Sequence, residues 1–182
     1  SFQELQQRFL RENMGTYTDI LIGLPGETYD SLADGVSQVI ESGQHRCIMF
    51  FNVYVLPNAE MGNKTYQQAH GLDIVKVPCV HRNAPLMSQQ DDIQEYQSVV
   101  VATHTMPRSH WVNARQLAWM TDFLYFSHKL LQVPFILLHE LEGCKYRTLM
   151  ELFAQVPTLQ YPTLAKIAEF FKQKALLIQA GS

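Results

Sequence analysis

The run Thr18-Asp19-Ile20-Leu21-Ile22-Gly23-Leu24-Pro25-Gly26-Glu27-Thr28 narrows the choice of fold more than any other segment of the chain. Its first half is short, apolar and rich in β-branched residues, the pattern of a buried strand. Gly23-Leu24-Pro25-Gly26 then carries turn chemistry. Thr28 can cap a following helix, with Asp30 in its first turn near the positive end of the helix dipole. That helix is expected to bury Leu32, Val36, Val39 and Ile40 and to stop at Gly43. Cys47-Ile48-Met49-Phe50-Phe51-Asn52-Val53 is a second run of strand length. Ahead of both, Phe2, Leu5, Phe9 and Leu10 recur at helical spacing and predict a helix over 2–13. Helix, strand, helix, strand with short connections implies a parallel pair joined by a right-handed crossover.

Glycine divides the chain. Gly15, Gly23, Gly26, Gly35, Gly43, Gly62 and Gly71 fall early, and the next is Gly143. The first part therefore reads as α/β and the rest as mostly helical. Leu56-Pro57-Asn58-Ala59 reads as a loop, 64–70 as a short helix closed by Gly71, 73–77 as an edge strand ended by Pro78, and 81–90 as a loop. From Asp91, the spacing of Ile93, Tyr96, Val99, Val100 and Thr103 predicts a helix that Pro107 breaks. Trp111, Ala114, Leu117, Ala118 and Leu124 mark another, apolar almost all round over 117–126 and so central to its domain. Pro134 and Pro162 suit the first turns of helices over about 134–155 and 162–178.

Composition removes several functional classes. Apolar residues at 47%, with 10 Phe, 8 Tyr and 2 Trp, exclude a disordered chain. A formal charge of −3 gives no general attraction to nucleic acid or anionic membrane. Val133 to Leu138 is the most apolar stretch and is far shorter than the ~20 residues a membrane span requires. The three cysteines, Cys47, Cys79 and Cys144, have no paired spacing, so disulfides are not expected. Charged residues make up only 17%, below the usual ~25%. The shortage predicts surface that a partner or further chain covers.

Ligands of a parallel sheet sit at the carboxyl ends of its strands, and the Gly23–Gly26 turn lies at such an end. By its residues alone the turn reads first as a plain strand-to-helix connection and only second as a ligand loop. It lacks the lysine of a phosphate-binding P-loop and the glycine spacing of a dinucleotide loop. His45 with Cys47, His104 with His110, and His139-Glu140 match no common zinc pattern, so no metal site is assigned. The aromatic cluster Trp111, Trp119, Phe123, Tyr125 and Phe126 reads as core, and Lys166, Lys172 and Lys174 around Glu169 as a solvated face.

The run 19–28 resembles the fifth-strand segment of radical S-adenosylmethionine (SAM) enzymes. The resemblance continues through Gly43, the strand 47–53 and the stretch Tyr54-Val55-Leu56-Pro57-Asn58-Ala59-Glu60-Met61, which is similar to the sixth strand and its loop. It is closest to members with an amino-terminal cobalamin-binding domain. It implies an α/β fold: the last strand–helix units of a partial (β/α) barrel over 1–62, with two or three parallel strands. A linking segment over 63–90 and a helical carboxy-terminal domain over 91–182 follow. In the family, three cysteines in a Cys-x-x-x-Cys-x-x-Cys loop hold a [4Fe–4S] cluster that cleaves SAM to a 5′-deoxyadenosyl radical. In cobalamin-dependent members, cobalamin carries a methyl group to the acceptor.

The cysteines here are separated by 32 and 65 residues, so none forms that loop. The resemblance therefore implies the carboxy-terminal portion of a parent protein, inactive alone and binding no cofactor by itself. SAM, a [4Fe–4S] cluster and cobalamin are assigned to the parent. By position, Leu21 or Ile22, with Gly23, Leu24, Pro25 and Gly26 nearby, would face adenine, and Phe51, Asn52 and Val53 would offer backbone to it. Glu27 aligns with the family's acidic residue, but it reads first as a solvated first-turn helix residue. Asn52 and Asn58 are candidates on the substrate side. Asn58 serves equally as a turn former. The competing expectation is a non-catalytic α/β module that binds a small ligand or a protein. The resemblance further implies a cytoplasmic location, and the open strand edge implies self-association.

Overall fold

The structure is a computed structural model, and it describes residues 2–79, 95–155 and 160–181. The expected start of the chain is present: α1 (Phe2–Arg11), β1 (Thr18–Ile22), α2 (Tyr29–Glu41) and β2 (Ile48–Asn52). β1 and β2 pair in parallel, from Thr18 opposite Ile48 to Ile22 opposite Asn52. Thr28 caps α2 as its sequence suggests. Its side chain accepts the Ser31 N–H, and the Ser31 hydroxyl accepts the Thr28 N–H, which closes a reciprocal box. Gly43 ends the unit at φ 100°, and Leu10 of α1 fills the space where a side chain there would point.

Side chains alternate across the parallel pair. Ile20, Ile22, Ile48 and Phe50 pack into the hydrophobic core on one face. Leu21, Met49 and Phe51 point to the other face and remain 43%, 39% and 37% exposed. Parallel strands are ordinarily covered on both faces. Here the described residues cover one.

The next segment departs from expectation. After a short 3₁₀ turn (Glu60–Gly62), α3 (Lys64–His70) is closed by Gly71 in the left-handed conformation, as predicted. The edge strand exists as β3 (Asp73–Pro78), but its partner is β4 (Tyr96–Ala102), and they run antiparallel. The described residues thus hold two parallel strands and no third. β4 replaces the helix expected from Asp91, whose residues 91–94, like the 81–90 loop, lie outside the described residues. Val99, Val100 and Val101 are fully buried on both sides, which suits three β-branched residues in a strand and crowds a helix. The helical spacing of Tyr96, Val99, Val100 and Thr103 is incidental to a continuous apolar run.

β2 does not stop at the edge of its own sheet. Val100 N–H donates to Val53 O at 3.0 Å, Val55 N–H donates to Ser98 O at 2.8 Å, and Tyr54 bridges Val99. The chain leaving β2 therefore continues along β4, and β4 lies across the carboxyl end of β1.

The second half is helical, as expected. α4 (Arg108–Thr121) continues into a π-helical turn (Asp122–Ser127), followed by α5 (Gln132–Glu142), α6 (Tyr146–Ala154) and α7 (Pro162–Gln179). α5 and α6 replace the single helix expected over 134–155. Gly143 adopts φ 66° and closes α5 with the Gly143 N–H on His139 O. α4 is the central helix: Trp111, Ala114, Leu117, Ala118 and Met120 are buried against α2, α6 and α7. Gln179 at the end of α7 donates to Val101 O and Arg108 O, at 3.1 and 2.8 Å, tying α7 to β4 and α4.

Where the helical half meets the loop before β2, His45 shares a 2.8 Å hydrogen bond between Nδ1 and the Tyr125 hydroxyl, and Tyr125 is bonded to Tyr146. Burial holds His45 below its ordinary value. Glu140 opposes the shift and His139 adds to it. The unfolded chain, with its histidine near pH 6.5, thus binds more protons than the folded chain just below that value. Stability from this site is complete above about pH 6.5 and falls as the pH drops toward the folded value. Urea midpoints at about pH 7.5 and about pH 5.5 should show the loss, and His45→Gln should reduce the difference. An identical difference in the variant would contradict the assignment.

Candidate functional site

The carboxyl ends of β1 and β2 form the candidate site. Gly23 follows Ile22 directly and is buried at φ 99°. A β-carbon there would meet Trp111 Nε1 at 3.3 Å and the Val100 carbonyl at 3.5 Å. Only glycine gives both the backbone conformation and the clearance. The Gly23 N–H is taken by Glu27, whose carboxylate folds back over the turn. Glu27 is therefore neither solvated nor in the first turn of α2. It is half-buried, desolvation raises its pKa, and its Oε2 has no partner. Its carbonyl accepts the Thr105 hydroxyl at 2.7 Å, which fixes the turn to the loop after β4.

The alternation of β1 separates Leu21 from Ile22. Leu21 stands on the bare face with Phe51, whereas Ile22 is 0% exposed on the helix-covered face. Leu24 is exposed beside them, Pro25 is half-buried, and Gly26 is exposed at φ 87° with nothing near its missing side chain. The backbone of Val53 is already engaged: its N–H donates to Ile22 O at 3.3 Å and its carbonyl accepts from Val100. Asn52 is 9% exposed, and its Oδ1 is buried without a partner. Asn58 is exposed in a turn closed by Ala59 N–H on Leu56 O.

Among the described residues, no group of three His, Cys, Asp or Glu side chains could hold a metal ion. The three cysteines are unpaired. His139 is engaged by the Cys144 carbonyl and the Tyr146 ring.

Beside the site runs an open groove of about 610 Å³ along β2, lined by Phe50, Asn52, Tyr54, Arg115, Trp119 and Asp122 among others. Trp111, Tyr125 and Phe126 of the aromatic cluster are core, but Trp119 faces this groove. Arg115 was not singled out from the sequence. Its signal is a cation placed four residues from each of the two tryptophans.

Over 126 residues, 69% of its length, the chain is 33% identical to the cobalamin-dependent radical SAM methyltransferase TokK of Streptomyces tokunonensis. Over 125 residues it is 31% identical to the 2-(S-pantetheinyl)-carbapenam-3-carboxylate methyltransferase of Streptantibioticus cattleyicolor. The chain belongs to the radical SAM superfamily. It spans 18% of the length of each of these relatives. No family model matches it. Among the described residues no helix is long and apolar enough to cross a membrane.

The Gly23 turn gives a direct test of the geometry. Gly23→Ala should lower the unfolding free energy by about 1–3 kcal/mol, through the left-handed conformation and the contact with Trp111 and Val100. Gly26→Ala, strained but unobstructed, should cost less. Denaturant titration checks both, and equal losses would contradict the packing of Gly23.

Proposed function

We propose that this chain is the carboxy-terminal part of a cobalamin-dependent radical SAM methyltransferase, and that β1 and β2 are the last two wall strands of its partial (β/α) barrel. The observation that carries this is the bare face. A parallel sheet with helices outside and Leu21, Met49 and Phe51 exposed inside has the layering of a barrel wall seen without its other strands. The similarity to two methyltransferases supports the same reading. Residues 1–62 then form the wall, and the helices from α4 onward pack outside it. The rest of the parent chain is the partner that covers the bare face. Alone, this chain would self-associate through that face and the open edge of β1. A small-molecule methyl acceptor and a cytoplasmic location belong to the same proposal.

The residues present fit part of the cofactor set. Leu21 and Phe51 give two apolar side chains on the inner face, suited to flank an adenine, with the backbone of Phe51 and Asn52 beside them. Leu24 and the Gly26 backbone border the same mouth, and Glu27 holds the turn in shape through Gly23. SAM, when bound, supplies the methyl group and the radical chemistry of the family. The residues do not fit the [4Fe–4S] cluster, because no three cysteines come together among those described. The cluster is assigned to the parent's own cysteine loop, and the chain alone is proposed to be inactive.

The competing reading, a non-catalytic module, uses the same bare face for a ligand or protein and separates cleanly in one comparison. Leu21→Asp and Phe51→Asp lie on exposed positions, so each should leave the stability of this chain within about 0.5 kcal/mol. In the full-length parent each should lower methyl transfer more than about tenfold, since a charge would enter a closed apolar wall. Full activity in both variants, measured by SAM-dependent product formation, would contradict the proposal.

A further inference from the structure

Arg115 is buried without a matching charge. It is 8% exposed, and its Nε has no hydrogen-bond partner. Its Nη1 reaches the Phe50 carbonyl at 3.4 Å, at the limit of a hydrogen bond. The guanidinium lies 4.2 Å over the Trp119 ring. Asp122 and Tyr54 act on it electrostatically, but no ion pair to it forms among the described residues. Burial pushes its pKa down to about 10, so the cation persists at neutral pH in a costly setting.

One role for Arg115 is to cap the open edge of β2, where Phe50 O would otherwise meet water. A marginal bond of 3.4 Å leaves most of the buried charge unmet, so the cap does not account for it. Asn52 repeats the pattern on the same groove wall. It is 91% buried by the same measure, and its Oδ1 also lacks a donor. Phe50 and Asn52 are two residues apart on β2, roughly 7 Å along the strand. The groove wall thus holds both a cation lacking an ion-pair partner and an acceptor lacking a donor. Trp119 and Phe50 flank them with apolar surface.

We infer that this groove is a binding site for a small hydroxy- or amino-carboxylate, whose carboxylate pairs with Arg115 and whose hydroxyl or amine donates to Asn52 Oδ1. A planar guanidinium suits a carboxylate fork. Asp122 lines the same groove and repels each added negative charge, which favours a monoanion over the two charges of a phosphate. The assignment goes beyond methyl transfer. It needs neither SAM nor a cluster, so it is tested on this chain alone, and its failure leaves the barrel proposal standing.

The test titrates the chain with glycolate, acetate, inorganic phosphate and chloride at matched ionic strength. The Arg115 Nε–H resonance and tryptophan fluorescence are followed. Glycolate should shift the Nε–H resonance saturably and bind more tightly than acetate, and chloride should give no saturable change. Arg115→Lys, which keeps the charge but not the fork, should weaken glycolate binding about tenfold. Asn52→Ala should remove the advantage of glycolate over acetate. Asp122→Asn, at a half-buried position whose amide oxygen can still accept the Ser127 hydroxyl, should tighten binding about twofold or more by removing a repelling charge, and it serves as the test if Arg115→Lys does not fold. The inference is overturned by an unshifted Nε–H resonance, by unchanged glycolate affinity in the folded Arg115→Lys or in Asp122→Asn, or by phosphate binding as tightly as glycolate.

Discussion

Ile20, Ile22, Ile48 and Phe50 turn to one side of the β1–β2 ladder and are sealed there by α2 and α4. Strand geometry then sends Leu21, Met49 and Phe51 to the other side. Burying the first set fixes the register, because a slip of one residue would exchange the two faces. It also fixes where each turn must lie, and so brings the Gly23 turn and the Glu27 carboxylate to the carboxyl end. The bare face is a consequence of the same packing. A layer that needs cover on both sides has it on one, and that imbalance supports the reading of a barrel wall.

The end of β1 is held from three directions. Glu27 takes the Gly23 N–H, Val53 N–H takes the Ile22 carbonyl, and β4 crosses above with Trp111 behind it. The chain leaving β2 is thereby committed to β4 rather than free to move. Rigid backbone at the mouth of the proposed wall suits a site that must hold a cofactor in one geometry. The cost is a set of buried polar atoms without partners, on Glu27, Asn52, Trp111 and Arg115. They gather at the ends and edge of the two parallel strands, as expected where function competes with packing.

The first four elements were legible because each carries its own signals: β-branched runs for β1 and β2, Thr28 for the start of α2, and Gly43 for its end. β4 was not, because Tyr96, Val99, Val100 and Thr103 match a helical period by accident. Only pairing with β3 and with Val53 to Val55 decides between strand and helix. Gly143 carried the break between α5 and α6 in plain sight, but apolar periodicity on both sides hid it. The Glu27 fold-back and the Arg115 groove depend on neighbours that meet only in the folded chain. Arg115 and Phe50, for example, lie 65 residues apart. That Leu21 and Ile22 face opposite ways, by contrast, follows from strand alternation alone.

The central claim is that the bare face is closed in the parent protein. Hydroxyl-radical footprinting of Met49 and Phe51, natural probes on that face, measures it most directly. Both residues should be modified readily in this chain alone and protected in the full-length protein, while Leu141, 75% exposed on α5 in the helical half, keeps its rate in both. Equal modification of Met49 and Phe51 in the two proteins would contradict the account.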